Sequence, residues 1–114
     1  MTTPDERNDT DLLLAYGRDG DEAAFETLAA RHVDMIFGVS LRRSGNRQLA
    51  EEATQNVLLG LSKKARKLSA QERNLTGWLH TSTRFEVSKL QRRESRLKKR
   101  EQDYASDTTT TSGK

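Results

Sequence analysis

Residues 76–100 of this chain read TGWLHTSTRFEVSKLQRRESRLKKR, and this stretch gives the clearest signal of the fold class. The stretch contains no proline, and Thr76 can accept a hydrogen bond from a free backbone N–H of the first turn, so it predicts one long helix. At 100° per residue, one stripe of this helix collects the side chains that we expect to face a core: Leu79, Thr83, Val87, Leu90 and Leu97.

The opposite face of the same helix is basic and polar. It collects Thr81, Arg84, Ser88, Arg92, Ser95 and Lys99, and a flank between the two faces carries Trp78, Phe85, Lys89 and Arg96. Cations follow phosphates and flat rings stack on bases, so the combination is typical of a surface for single-stranded nucleic acid. Two simpler interpretations stay open from this pattern alone. A basic helix face is usually just solvated, and the two aromatic rings can pack on a neighbouring helix.

The charge of the chain is unevenly distributed. The formal net charge is +3, yet residues 63–100 carry 13 Lys and Arg against 3 Asp and Glu, whereas residues 1–62 carry 6 against 11. A basic block on an otherwise acidic chain indicates a localised binding site for a polyanion. The acidic part repels nucleic acid, which argues against unspecific binding over the whole surface.

Together, the segments of the chain predict an all-α fold, a compact bundle of three long helices plus one short N-terminal helix. Residues 1–9 are expected to be disordered and residues 10–104 to form the helical domain. Residues 105–114 are rich in Thr and predict a flexible linker or a truncated tail. Thr10 or Asp11 can cap the short helix.

Local signals mark the ends of the middle helices. Asp21 can cap a helix that ends near Arg43, where Gly45 suits a left-handed stop and Asn46 the next cap. The third helix covers about residues 47–68. A polar loop over 69–75 follows it. The side chains that we expect to be buried are Phe25, Leu28, Ile36, Val57, Leu61, Leu79 and Leu90.

The outer side of the third helix carries an isolated leucine. Leu59 lies there beside Glu52 and Gln55, and together they form a small apolar spot with a polar rim. A lone exposed leucine is common in soluble proteins and needs no explanation. The alternative interpretation is an anchor for a helix of a partner protein.

Catalytic and metal-binding patterns are weak in this sequence. The chain has no Cys, and it has neither a glycine-rich phosphate loop nor a His/His/acid spacing typical of a metal site. Glu51 and Glu52 are adjacent, so on a helix they point about 100° apart and form no catalytic pair. His32 lies on a core stripe, where a satisfied structural histidine is expected. We therefore predict no enzyme activity, no catalytic residues, no metal and no cofactor, and the absence of a long apolar run predicts no membrane insertion.

With these residues in view, the chain resembles region 2 of bacterial RNA polymerase sigma factors, specifically the extracytoplasmic-function (ECF) group. Three stretches in order carry the resemblance: DEAAFETLAARH at 21–32, NRQLAEEATQNVLLGL at 46–61 and GWLHTSTRFEVSKLQRR at 77–93. The middle stretch is the most specific of them. The match extends over about residues 11–100.

The resemblance implies two binding surfaces in a bacterial cytoplasmic protein. One surface docks on the clamp helices of the largest, β-type subunit of core RNA polymerase, and on this chain it comprises Glu51, Glu52, Gln55, Asn56, Leu58 and Leu59. The other binds the non-template strand of the minus-ten promoter element and helps open the duplex. Its residues are Lys63, Lys67, Arg73, Asn74, Trp78, His80, Thr81, Arg84, Phe85, Ser88, Lys89, Arg92 and Arg96. The alternative function is a sigma-like interaction module that binds polymerase or an anti-sigma partner without productive DNA contact.

This sequence departs from the family pattern at several of those positions. Glu52 stands where Asp is common, and Leu58 stands where Phe is common. Phe85 and Lys89 replace an Asn and an Asp that many members carry, so the base preference of the family does not transfer to this chain. The family's second domain, a helix-turn-helix that reads the minus-thirty-five element, is absent from the 114 residues. The chain is therefore expected to be the N-terminal domain of a longer protein.

Overall fold

The structure, a computed structural model, describes residues 6–70 and 74–112, with side chains up to Tyr104. Four helices form it: α1 (Asp9–Asp19), α2 (Glu22–Ser44), α3 (Arg47–Ala70) and α4 (Leu75–Ser112). The described residues contain no strand. The predicted all-α class, with three long helices and a short N-terminal one, is confirmed.

The short helix begins earlier than the sequence pattern predicted. Asn8 caps α1, because its side-chain oxygen accepts a hydrogen bond of 2.8 Å from the backbone N–H of Asp11. Asp9 is the first helical residue and binds Arg31 of α2 at 3.1 Å. The predicted caps, Thr10 and Asp11, lie inside the helix. The structure thus includes Asn8 and Asp9 in or next to α1, although both were expected to be disordered.

The connection between α2 and α3 follows the predicted capping pattern. Asp21 accepts a hydrogen bond from the backbone N–H of Ala24 and begins α2. Gly45 ends it with φ 64°, a left-handed conformation that glycine adopts without steric cost. Asn46 then accepts a hydrogen bond from the backbone N–H of Leu49. These short-range hydrogen bonds fix a sharp reversal between two long helices.

The connection between α3 and α4 is shorter than predicted. Helix α3 continues to Ala70, and the hydroxyl of Ser69 donates to the carbonyl of Arg66 at 2.8 Å. Helix α4 begins at Leu75 and is capped by Asn74, whose side-chain oxygen accepts from the backbone N–H of Gly77 at 3.3 Å. Asn74 therefore takes the capping position that the sequence analysis assigned to Thr76.

Helix α3 lies at the centre of the bundle and packs against each of the other three helices. The main core cluster draws residues from all four helices: Leu12, Leu13, Ala24, Leu28, Ile36, Val57, Leu61, Ala65, Leu68, Leu75 and Leu79. A second, smaller cluster joins the start of α3 to the middle of α4 through Leu49, Ala53, Val87 and Leu90. Both clusters cover one side of α4.

Six of the seven side chains predicted to be buried are buried. The exception is Phe25, which is half-buried and packs on the edge of the main cluster. Its ring centroid lies 4.7 Å from that of Tyr16. Ala24, one residue earlier, takes the interior position, so the buried stripe of α2 is rotated by about one residue relative to the prediction.

The C-terminal part of α4 extends beyond the bundle. Residues 91–104 are all exposed, and Leu97 is 48% exposed. The prediction that Leu97 ties this part of the helix to the core is therefore wrong. The reason is the length of the neighbours, because α2 and α3 meet at Gly45, next to Gln91 and Glu94, and cover nothing farther along. The helix continues to Ser112, through residues expected to form a linker.

Candidate nucleic-acid interface

A groove of about 300 Å³ lies between the second half of α3 and the first half of α4. Its lining comprises Asn56, Val57, Gly60, Lys64, Trp78, Thr81, Ser82, Phe85 and Glu86. Gly60 forms part of the wall, and the Trp78 ring passes close to it. A Cβ on Gly60 would lie 3.8 Å from the ring atom Cη2 of Trp78. The groove brings together both aromatic residues that the sequence analysis assigned to nucleic acid.

The two aromatic rings have different environments. Trp78 is half-buried and packs against the main core cluster, so its ring supports the fold. Phe85 is 58% exposed, and a large exposed ring at the edge of a groove offers a free face. The ammonium of Lys89 lies 5.8 Å from the centroid of the Phe85 ring, within cation–π range. Only Phe85 of the two therefore has the exposure that stacking on a base requires.

Polar side chains on the groove form a connected set. The Glu86 carboxylate binds the Lys89 ammonium at 2.9 Å and accepts a hydrogen bond of 3.4 Å from the amide of Asn56. This contact draws Asn56 toward α4, although the resemblance assigned it to the polymerase surface. The set carries hydrogen-bond donors and acceptors next to an exposed aromatic ring, which are the groups that read the edge of a base.

The structure adds four groove residues that were not selected from the sequence: Gly60, Lys64, Ser82 and Glu86. Lys64 follows Gly60 by four residues and thus lies on the same side of α3. That spacing was visible in the sequence, but the closeness of Gly60 to Trp78 was not. The neighbouring candidates Lys63 and Lys67 are exposed on α3, and no groove contact involves them.

Basic side chains continue along the outer face of α4. Arg84, Arg92 and Arg96 are exposed as predicted. Ser88 is half-buried and lines a shallow depression together with Arg92 and Arg96. Arg84, Arg92 and Arg96 are eight and four residues apart, so they lie along one side of the helix and form a track that suits the phosphates of a nucleic-acid strand.

The remaining candidates lie near the start of α4. His80 is half-buried, whereas Thr81 is exposed and belongs to the groove. Asn74 is exposed, and its side-chain oxygen caps the helix. Its role in DNA binding stays a prediction. Arg73 lies outside the described residues.

The outer face of α3 carries the residues predicted to bind polymerase. Leu59 is 57% exposed and Gln55 is exposed beside it. Glu51 is exposed too, 3.5 Å from Arg47. Leu58, in contrast, is half-buried and packs against the main core cluster, so it faces away from this surface. The phase of the helix thus separates two adjacent leucines into one core-facing and one solvent-facing residue.

Glu52 on the same face is engaged within the molecule. Its two carboxylate oxygens accept hydrogen bonds of 2.9 Å and 3.0 Å from Nη2 of Arg93 on α4. Both side chains are about half exposed. This ion pair directly links the outer face of α3 to the basic segment of α4.

His32 and Asp9, which lie outside these surfaces, form a contact between two helices. Nε2 of His32 lies 2.7 Å from a carboxylate oxygen of Asp9, and this contact holds the start of α1 against α2. Within the described parts of the chain, no group of three or more His, Asp or Glu residues could hold a metal ion. None of the described helices is both long and apolar enough to cross a membrane.

The family model described as Sigma-70 region 2 matches residues 28–97, which is more than half of the chain. The matched segment begins within α2, contains all of α3 and ends in α4 at Leu97. It therefore includes the groove, the basic face of α4 and the outer face of α3. Neither a curated protein nor a solved structure matches the chain.

Proposed function

The chain belongs to the sigma-70 region 2 family, and from that membership we propose that it is a promoter-opening domain of the ECF group. In this role the domain docks on core RNA polymerase, binds the minus-ten promoter element through its non-template strand and helps melt the duplex during transcription initiation. The proposed role belongs to the bacterial cytoplasm and requires no catalytic residue, metal or cofactor of the domain itself.

The observation that carries the DNA half of the proposal is the exposed ring of Phe85 at the edge of a groove on a basic helix. Bases of a closed duplex are stacked on each other, so a free aromatic face favours bases that have left the stack. The cations of α4 supply phosphate contacts that are independent of sequence. A surface with both properties binds a single strand better than the matching duplex.

The docking half of the proposal depends on the outer face of α3. Leu59 and Gln55 are exposed there, and Glu52 adds a carboxylate. A leucine with a polar rim is the kind of spot on which a partner helix packs. We assign this face to the clamp helices of the β-type largest subunit. Leu58 packs against the main core cluster and is therefore not assigned to this docking surface.

A fluorescence-anisotropy titration with a labelled single-stranded minus-ten non-template oligonucleotide, repeated over a salt series, tests the DNA half. Phe85→Ala should weaken binding by about 1–3 kcal/mol, the value of one stacked base, with little change in salt dependence. Arg92→Ala should instead lower the slope of log K against log salt by about 0.7.

Tyr104→Ala is the matched control for the ring. Tyr104 is an aromatic residue of the same helix, 75% exposed and outside the groove. Its loss should leave the affinity for the single strand within about twofold of that of the unchanged chain. If Phe85→Ala has no larger effect than Tyr104→Ala, the domain offers a basic surface and no stacking site.

A second candidate function is an interaction module that binds polymerase or an anti-sigma partner without productive DNA contact. The observation that favours it is the pairing of two α4 cations, Lys89 with Glu86 and Arg93 with Glu52, which leaves both cations less available to phosphates. Such a module would bind the labelled single strand weakly and without a steep salt dependence, so the same titration separates the two functions.

A further inference from the structure

Arg93 and Glu52 are 41 residues apart in the sequence and lie on different helices. One guanidinium nitrogen of Arg93 donates to both oxygens of the Glu52 carboxylate, at 2.9 Å and 3.0 Å. The arginine is 54% exposed and the glutamate 42%, so both groups remain accessible to solvent and to an incoming ligand. The contact joins the proposed docking face to the proposed DNA-binding helix.

The position of Arg93 places it among phosphate-binding candidates. It directly follows Arg92 and precedes Arg96 by three residues, so it lies at the edge of the basic track on the side that faces α3. Exposed ion pairs between long side chains are weak, and a competing anion can displace one partner. A phosphate offers the same pair of acceptor oxygens to a guanidinium as a carboxylate does.

We propose that Arg93 is a further phosphate-binding residue of this domain and that Glu52 competes with the nucleic acid for its guanidinium. The inference rests on the proposed function and adds one residue to its DNA surface. A cationic group of the docking protein that binds Glu52 releases Arg93 toward the DNA. Coupling between two ligands is reciprocal, so DNA that holds Arg93 also frees the Glu52 carboxylate for that cation.

Glu52→Gln tests the competition on the isolated chain. Glutamine keeps the shape of the side chain but removes the charge that holds Arg93. The probe is a labelled single-stranded oligodeoxynucleotide, followed by fluorescence anisotropy over a salt series. Because the substitution breaks the exposed ion pair with Arg93, it should raise the affinity for the oligodeoxynucleotide at fixed salt concentration by about two- to fivefold. One newly available cation should steepen the slope of log K against log salt by about 0.7.

Glu51→Gln is the matched control, because it removes the same charge from the neighbouring residue. Glu51 contacts Arg47 and has no contact with Arg93. Its substitution should therefore leave the salt slope unchanged. In the double variant Glu52→Gln/Arg93→Ala, the increase in DNA affinity expected from Glu52→Gln should disappear. The affinity of the double variant should equal that of Arg93→Ala alone.

Three outcomes overturn the inference. The first is that Glu51→Gln raises the affinity for the single strand as much as Glu52→Gln does. The second is that the affinity gained by Glu52→Gln persists when Arg93 is replaced by Ala. The third is that Glu52→Gln does not raise the affinity although the unchanged chain binds DNA. Failure of the unchanged chain to bind the single strand at any salt concentration is a different result. It overturns the DNA half of the proposed function, and this inference falls with it.

Discussion

At the scale of single residues, Phe85 and Trp78 lie on the same flank of α4 but differ in burial. They are seven residues apart, which is about two turns, and thus project from nearly the same side of α4. The Trp78 ring lies beside Gly60 in the interface with α3 and packs against the main core cluster. Phe85 stays exposed. The groove therefore has one exposed aromatic ring, that of Phe85, whereas the spacing of the two residues had suggested a pair.

A second glycine permits a closer contact, and it yields a prediction for stability. A Cβ on Gly17 of α1 would lie 2.9 Å from both Cα and N of Arg66 on α3. Since those are backbone atoms, the helices must separate, and Gly17→Ala should lower the free energy of unfolding by about 1–3 kcal/mol. Chemical denaturation followed by circular dichroism measures it.

Gly60→Ala is the control for the prediction on Gly17. Its added methyl group meets the Trp78 ring at 3.8 Å, an ordinary van der Waals distance, and alanine favours a helix over glycine by about 0.5–1 kcal/mol. We expect Gly60→Ala to be neutral or stabilising. Similar losses of stability in both variants would contradict the close approach of α1 and α3.

At the scale of the elements, α4 divides into a packed half and a projecting half. Up to Leu90 one side of the helix is covered by the two core clusters, and from residue 91 to Tyr104 every side chain is exposed. The basic residues continue through both halves. The packed half thus fixes the orientation of a cationic helix whose outer half is exposed to solvent.

This division predicts unequal effects for two leucines of the same stripe. Leu90→Ala should cost about 2–5 kcal/mol of unfolding free energy, because Leu90 is buried against Leu49 and Val87. Leu97→Ala should cost less than about 1 kcal/mol, since half of that side chain is exposed. Denaturant titrations of both variants measure the difference. Equal costs would mean that the outer half of α4 packs on the bundle.

The outer face of α3 gives the second prediction at this scale. Leu59→Arg or Gln55→Ala should weaken binding to core RNA polymerase while the helical circular dichroism and the melting temperature stay unchanged, because both residues are exposed. Surface plasmon resonance with immobilised core polymerase measures the affinity. Leu41→Arg, at an exposed leucine of α2, is the control and should bind normally. Unfolding by Leu59→Arg would mean that Leu59 belongs to the core.

Helix ends and interior positions could be predicted to different extents from the sequence. The caps at Asp21, Gly45 and Asn46 were predictable because they depend on hydrogen bonds within a few residues. The cap of α4 was misplaced because Asn74 and Thr76 are both suitable and lie two residues apart. A helical periodicity gives the direction of a side chain but not the length of its neighbours, so it could not predict the exposure of Leu97.

The candidate site, too, could be predicted from the sequence only as far as the directions of its side chains. The exposed positions Leu59 and Arg92 follow from periodicity alone, whereas Phe85 and Trp78 share one flank and differ only through packing. The groove and the ion pair between Glu52 and Arg93 depend on how α3 and α4 are placed against each other, and residues 41 positions apart carry no local signal of contact. Sequence periodicity therefore predicted the faces of the helices, and only the packing revealed how those faces are connected.

At the scale of the whole molecule, α3 has one side in the core and one side that carries the proposed docking surface. Its inner side is covered by α1, α2 and the packed half of α4, while its outer face remains available for a protein partner. The groove and the cations of α4 lie beside that face, because Glu52 reaches Arg93 directly. The basic segment at 63–100, on an otherwise acidic chain, favours the α4 side as the place for a nucleic acid. The surfaces proposed for the protein partner and for DNA are therefore adjacent.

The central claim is that this domain prefers bases that have left the duplex. The most direct measurement is the affinity of the unchanged chain for a labelled minus-ten non-template single strand and for the matching duplex, by fluorescence anisotropy at the same salt concentration. The exposed ring of Phe85 predicts tighter binding of the single strand, and the difference should persist at high salt because stacking is not screened. Equal affinities for the two forms at every salt concentration would contradict the claim.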